Sequence, residues 1–183
     1  METMYHPKAS ELARMMALQA ASKLFKYLSL YKQDPKSEST IIELQLAAFA
    51  SLGYLGYKLS RPLGLSHTLG YALGSPYGIP HGITSCITLG HVVKLKAQDA
   101  EAATQIARMV PFIGLSATGD NRRDAEQVGQ TILDLVDQLG LKTTLTERGV
   151  NQDQTRIIVK RALGGVESGT LFDKVEALVK QLF

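Results

Sequence analysis

The amino-acid sequence predicts an all-α protein, a multi-helix bundle, on three observations. Apolar residues recur at three- and four-residue spacing along nearly the whole chain, which is the period of one helix face. Prolines and β-branched runs are sparse, so few segments carry a strand pattern. Glycine, proline and short polar residues stand at the ends of the periodic segments, where helices start and stop.

Taken in order, Leu12, Met15, Met16, Leu24 and Leu28 form an apolar stripe over residues 9–31, and Asp34-Pro35 ends that helix. Thr40-Ile-Ile-Glu43 has the spacing of a capping box. The run from 41 to 59 is apolar on nearly every side, as in a helix buried in the middle of a bundle, and Arg61-Pro62 closes it. Two further helices are expected over 64–74 and 80–97, joined by the turn-forming Ser75-Pro76-Tyr77-Gly78-Ile79-Pro80. Pro80 suits a first helical turn, where its missing N–H costs nothing. Shorter amphipathic segments follow at 99–110, 121–139, 152–163 and 170–182, separated by Gly114, Gly140, Gly149 and Gly164-Gly165. Asp120, Thr144 and Asn151 are candidate N-caps, and Thr144-Leu-Thr-Glu147 forms a second box. With no internal repeat and no long linker, residues 1–183 are expected to form a single helical domain.

Composition excludes several functions. The 20 basic and 17 acidic residues, net +3, are scattered rather than clustered, and there is no tryptophan among few aromatics, so no nucleic-acid groove or stacking platform is expected. Cys86 is the only cysteine, which excludes an intrachain disulfide, a Cys-x-x-Cys redox pair and a cysteine-based zinc site. The N-terminus carries no signal-like charge and apolar run, and other apolar stretches are interrupted before the ~20 residues a membrane helix needs. A cytoplasmic protein with no membrane partner is expected.

Of four histidines, two frame the segment Gly64-Leu-Ser-His67-Thr-Leu-Gly70-Tyr71-Ala-Leu-Gly74, then Pro80-His81-Gly82. On one uninterrupted helix His67 and His81 would lie about 21 Å apart. The Pro/Gly turn between them lets the chain reverse, so that imidazoles on successive helices can face each other and ligate one divalent cation, iron or zinc. Spacing alone favours two hydrogen-bonded core histidines over a metal site, because two ligands fall short of the usual three or four. His91, mid-helix, and Cys86 read as packing residues. Glu2 and His6 share an i, i+4 spacing that would put them on one helix face as a substitute ligand pair, but Pro7 works against a helix there.

The His67/Pro80-His81-Gly82 pattern resembles the signature of iron-containing alcohol dehydrogenases. Glu2-x-x-Tyr5-x-Pro7, Gly53-x-x-Gly56 and Leu145-Thr-Glu-Arg-Gly149-Val150 extend the similarity over nearly the whole chain. The resemblance implies the helical C-terminal domain of that family and of dehydroquinate synthase-like proteins. It also implies metal ligation by His67 and His81, and a two-domain enzyme transferring hydride between NAD(P) and an alcohol or aldehyde. The family's other two ligands, an Asp and a His, fall upstream of the position matching Glu2, so metal binding by this chain alone is expected to be weak. Tyr71 stands where many members carry another histidine close to substrate. Gly64, Gly70 and Gly74 have the wrong spacing for a phosphate-cradling Gly-x-Gly-x-x-Gly loop, so NAD(P) binding by this chain alone is not expected. Gly70-x-x-x-Gly74 is better explained by close helix contact.

Three functions follow. The chain is the metal-binding, substrate-cleft piece of a dehydrogenase-like oxidoreductase, silent in redox chemistry alone. Alternatively it is a stand-alone truncated homologue using His67, His81 and Tyr71 for cofactor-independent isomerase, cyclase or dehydratase chemistry, or an inert interaction module. Each leaves a former domain surface to cover, by a nucleotide-binding domain or in a homodimer.

Overall fold

The structure, a computed structural model, describes residues 1–52 and 64–183. The all-α expectation holds: the described residues form helices and turns with no strand. None of these helices is long and apolar enough to cross a membrane. The chain divides into two compact units, Met1–Pro62 with Lys96–Val128, and Leu63–Leu95 with Gly129–Phe183. Gly53-x-x-Gly56, Arg61-Pro62 and the end of the run from 41 to 59 lie outside the described residues.

In the first unit a short α1 (Glu2–Tyr5) leads to α2 (Glu11–Gln33) and α3 (Glu38–Leu52). Ser10 caps α2 by accepting from the Ala13 N–H at 3.2 Å, a contact worth about 1 kcal/mol. Asp34 ends the helix as expected, its N–H donating to the Leu30 carbonyl. The buried face differs from the expected stripe. Ala13, Ala17, Ala20 and Ala21 are buried with Leu18, whereas Leu12 and Met15 are each 56% exposed. Small side chains on a buried face let neighbouring elements approach closely; α2 packs against α3, and Lys23 reaches Glu43 across that pair at 2.5 Å.

Helix α3 starts two residues before Thr40, so the expected box is not its cap: Ser37 Oγ accepts from the Thr40 N–H instead. Nor is α3 buried all round, since Ile42, Leu46 and Phe49 are 54%, 53% and 76% exposed. An apolar periodicity on every face states what a helix could bury, and its neighbours decide what it does bury. Next, Asp99 caps α6 (Ala100–Ala107) by accepting from the Ala102 N–H, and a 3-10 turn, Val110–Ile113, ends at Gly114. Asp120 caps α7 (Asn121–Gln138) as expected, accepting from the N–H groups of Arg122 and Arg123.

The second unit contains α4 (Leu65–Tyr77), α5 (His81–Lys96 up to Leu95), the later turns of α7, then α8 (Thr155–Ala162) and α9 (Thr170–Lys180). Its core gathers Leu69, Leu73, Leu145, Ile158, Phe172 and Val179, all within 1% of complete burial. Each such side chain contributes roughly 1.5–3 kcal/mol on leaving water. The second capping box forms its reciprocal bonds, Thr144 N–H to Glu147 Oε2 at 2.9 Å and Glu147 N–H to Thr144 Oγ1 at 3.2 Å. It closes a turn and not a helix, because the Val150 N–H returns to the Leu145 carbonyl past Gly149 at φ +76°.

Candidate functional site

The reversal between α4 and α5 takes three residues. Pro76 does not end α4, which runs on to Tyr77 and stops at Gly78, a left-handed residue at φ +66° that only glycine adopts without strain. The Ile79 N–H then bonds back to the Gly74 carbonyl at 3.1 Å, the closing bond of a glycine C-cap. Ile79 is buried in the core and anchors the turn. Pro80 stands just before α5 rather than inside its first turn, its carbonyl accepting from the N–H groups of Ile83 and Thr84.

Two contacts set the register of the helix pair. Near one end the hydroxyls of Ser66 and Thr88 meet at 2.8 Å, both side chains buried. Nearer the turn Gly70 lets α5 come close: a Cβ there would lie 3.0 Å from Thr84 Oγ1 and 3.1 Å from His81 Cε1. Among the described residues Gly74 meets nothing nearer than the Ile79 carbonyl at 3.5 Å, so of the Gly70-x-x-x-Gly74 motif Gly70 is the glycine that serves the α4–α5 contact. The Ser66–Thr88 pair escapes sequence reasoning; small hydroxyl residues at 84 and 88, one turn apart, are the one signal that could have pointed to it.

This register carries the first residue of α5 over the α4 face that bears His67 and Tyr71. The His67 and His81 ring centroids are 5.7 Å apart with ring planes tilted by 51°. Tyr71 stacks on His81 at 5.7 Å with a 27° interplanar angle and is 61% exposed. Metal–nitrogen bonds of about 2.0–2.1 Å let imidazoles at such a separation share one cation. Among the described residues no group of three or more His, Cys, Asp or Glu side chains could hold a metal, so the donor set here is two imidazoles.

Glu2 and His6 do not form a helical pair. Helix α1 stops at Tyr5, and His6 is extended, its Nδ1 accepting from the Lys8 N–H at 3.2 Å. The Tyr5 hydroxyl donates to Glu2, and burial, reinforced by that carboxylate, pushes its pKa well above the usual phenol value. Cys86 and His91 are half-buried rather than packed in the core. Burial pushes the Cys86 thiol up, and burial followed by the nearby Lys94 charge holds His91 below the ordinary imidazole value.

Residues 1–181 match the family model described as Fe-containing alcohol dehydrogenase family, C-terminal. Among solved structures, the fold is similar to a 1,3-propanediol oxidoreductase, at 20% identity and a TM-score of 0.86 over 100% of this chain and 48% of that one. A maleylacetate reductase from Agrobacterium tumefaciens is similar at 21% identity and TM-score 0.76, over 100% and 48% of the two chains. An iron-containing alcohol dehydrogenase from Thermococcus thioreducens is similar at 18% and 0.77, over 99% and 46%. The chain thus spans about half the length of the solved structures it matches. No curated protein matches it.

Proposed function

The chain belongs to the iron-containing alcohol dehydrogenase family as its C-terminal domain, and from that premise we propose that it supplies half of a metal centre and one wall of a substrate cleft. In this reading residues 1–183 act as one helical domain of a dehydrogenase-like oxidoreductase, and the chain alone is silent in redox chemistry. His67 and His81 would hold iron(II) or zinc, weakly until further ligands join them. A divalent cation bound there would polarise the oxygen of an alcohol or aldehyde. Tyr71, exposed beside that pair, would donate a hydrogen bond to the same oxygen, with its stacking on His81 holding the ring in position.

The observation that carries this reading is the 5.7 Å separation of the two imidazoles. The apolar side chains of Ile42, Leu46 and Phe49 support a covering partner, a nucleotide-binding domain or a second copy in a homodimer. Zinc titration of the full chain by calorimetry tests the ligand assignment. Binding weaker than micromolar, lost in both His67→Ala and His81→Ala, is the expected result. Sub-micromolar stoichiometric binding, or binding indifferent to both substitutions, would contradict it.

The Tyr71–His81 stack favours a second reading, in which the domain works alone and these side chains with His67 act as acid and base in an isomerisation, cyclisation or dehydration. Turnover of an identified substrate that survives both histidine substitutions would remove that reading.

A further inference from the structure

The second unit also holds a cavity of about 340 Å³ that none of His67, Tyr71 and His81 lines. Its origin lies in a backbone contact. A Cβ on Gly129 would sit 3.0 Å from the Gly90 carbonyl oxygen, and one on Gly90 would sit 2.9 Å from that of Gly129. Helices touching this closely at one point separate away from it. The space that opens is bounded by Cys86, Ile87 and His91 of α5 and by residues 130–137 of α7. The loop at 142–144 and the chain end at Gln181-Leu182 complete its lining.

The lining combines an apolar surface with both signs of charge. Ile87, Leu133, Val136 and Leu182 supply hydrocarbon, Asp134 and Asp137 supply carboxylates, and Lys142 supplies an ammonium. None of these three charged side chains belongs to an ion pair among the described residues. Asp134 is held in place: its carboxylate accepts from the Gln130 amide at 2.7 Å, and Gln130 in turn accepts from Lys94 at 2.5 Å. His91, whose pKa burial and then the Lys94 charge lower, adds hydrogen-bonding capacity to the lining.

We propose that this cavity binds a small zwitterion with an apolar body, the chemical class of a branched-chain α-amino acid. The ammonium group would meet Asp134 and Asp137, the carboxylate Lys142, and the hydrocarbon Ile87, Leu133 and Leu182. A simple anion would face two carboxylates, and a simple cation would leave Lys142 unmet. The volume falls at the small end of the range of about 300–1,000 Å³ typical of ligand sites.

Amide chemical-shift titration of the full chain tests this with three probes: leucine, isopentylamine, which lacks the carboxylate, and 4-methylpentanoate, which lacks the ammonium. Leucine is expected to shift Leu133, Val136 and Thr144 at millimolar concentration. Each truncated probe should bind about two- to fivefold more weakly, the worth of one exposed ion pair. Asp137→Asn should weaken leucine and isopentylamine but not 4-methylpentanoate, and Lys142→Met should weaken leucine and 4-methylpentanoate but not isopentylamine. Both residues are exposed, and an unchanged helical circular dichroism spectrum verifies that the variants fold. Absence of shifts at those amides, or affinities indifferent to both substitutions, would overturn the proposal. His67→Ala should bind leucine as the parent does, so failure of the metal reading leaves this result standing.

Discussion

The hydroxyl oxygens of Ser66 and Thr88 lie 2.8 Å apart between two buried side chains, joining α4 to α5 across 22 residues of sequence. Thr88 also donates to the Thr84 carbonyl at 2.9 Å, so the pair is tied into the backbone of α5. A helix pair locked at this point cannot slide by a turn without breaking a buried polar contact, which costs about 1–3 kcal/mol for each group left unsatisfied. His81 is thereby kept over His67 and Tyr71.

Ser66→Ala and Thr88→Ala are each expected to destabilise the fold by about 1–3 kcal/mol. The double variant should lose about 0.5–1.5 kcal/mol less than the sum of the two. Urea unfolding of the four proteins measures that coupling, and strict additivity would show that the contact does not hold the helices together.

Gly90→Ala is expected to destabilise by about 1–3 kcal/mol through overpacking. Its Cβ would fall 2.6 Å from two carbons of Leu133 and 2.9 Å from the Gly129 carbonyl, and backbone cannot yield as a side-chain tip can. In a Leu133→Ala background only the backbone clash remains, so a Gly90→Ala/Leu133→Ala double variant with the same thermal midpoint as Leu133→Ala alone would place the strain in Leu133 alone.

Tyr71→His puts a third imidazole on the face of His67 and His81, since 67 and 71 are one helical turn apart and Tyr71 already stacks on His81. Zinc affinity should rise at least about tenfold, as expected when a two-ligand site gains a third. Competition against a chromophoric chelator reads the change. Unaltered affinity would mean that the three rings do not converge on one cation.

Asp124 gives a pH dependence with a defined sign. The residue is 3% exposed, and its carboxylate accepts from both the N–H and the hydroxyl of Thr118, at 2.8 and 2.7 Å. Those donors hold its carboxyl below the usual carboxylate range in the folded state. A depressed folded pKa contributes stability that is fully present above the ordinary value of about 3.9 and is lost as pH falls through the folded one. Asp124→Asn keeps an acceptor but not the charge. Its thermal midpoint should fall less steeply below about pH 4 than the parent's, and parallel acid limbs would refute the linkage.

Much of the helical segmentation was legible in the sequence, because a helix start or stop depends on a few neighbouring residues. Asp34 at the end of α2, Asp120 before α7 and the left-handed glycines at 114, 140, 149 and 164 all act where their chemistry says they should. Local rules failed where two of them competed. Ser37 displaced Thr40 as the cap of α3, and Pro76 fell within the last helical turn instead of ending α4.

The sequence by itself therefore determined the all-helical class, most element boundaries, and the candidate pair His67 and His81 through the pattern in which they sit. Only the tertiary structure decided which faces are covered. It buries the alanines of α2 and exposes Phe49 of α3, pairs Ser66 with Thr88, and opens a cavity beside the Gly90–Gly129 contact. The physical reason is range. Capping and turn formation are settled within a few residues, whereas burial and helix contact depend on partners tens of residues away, and periodicity carries no record of which partner arrives.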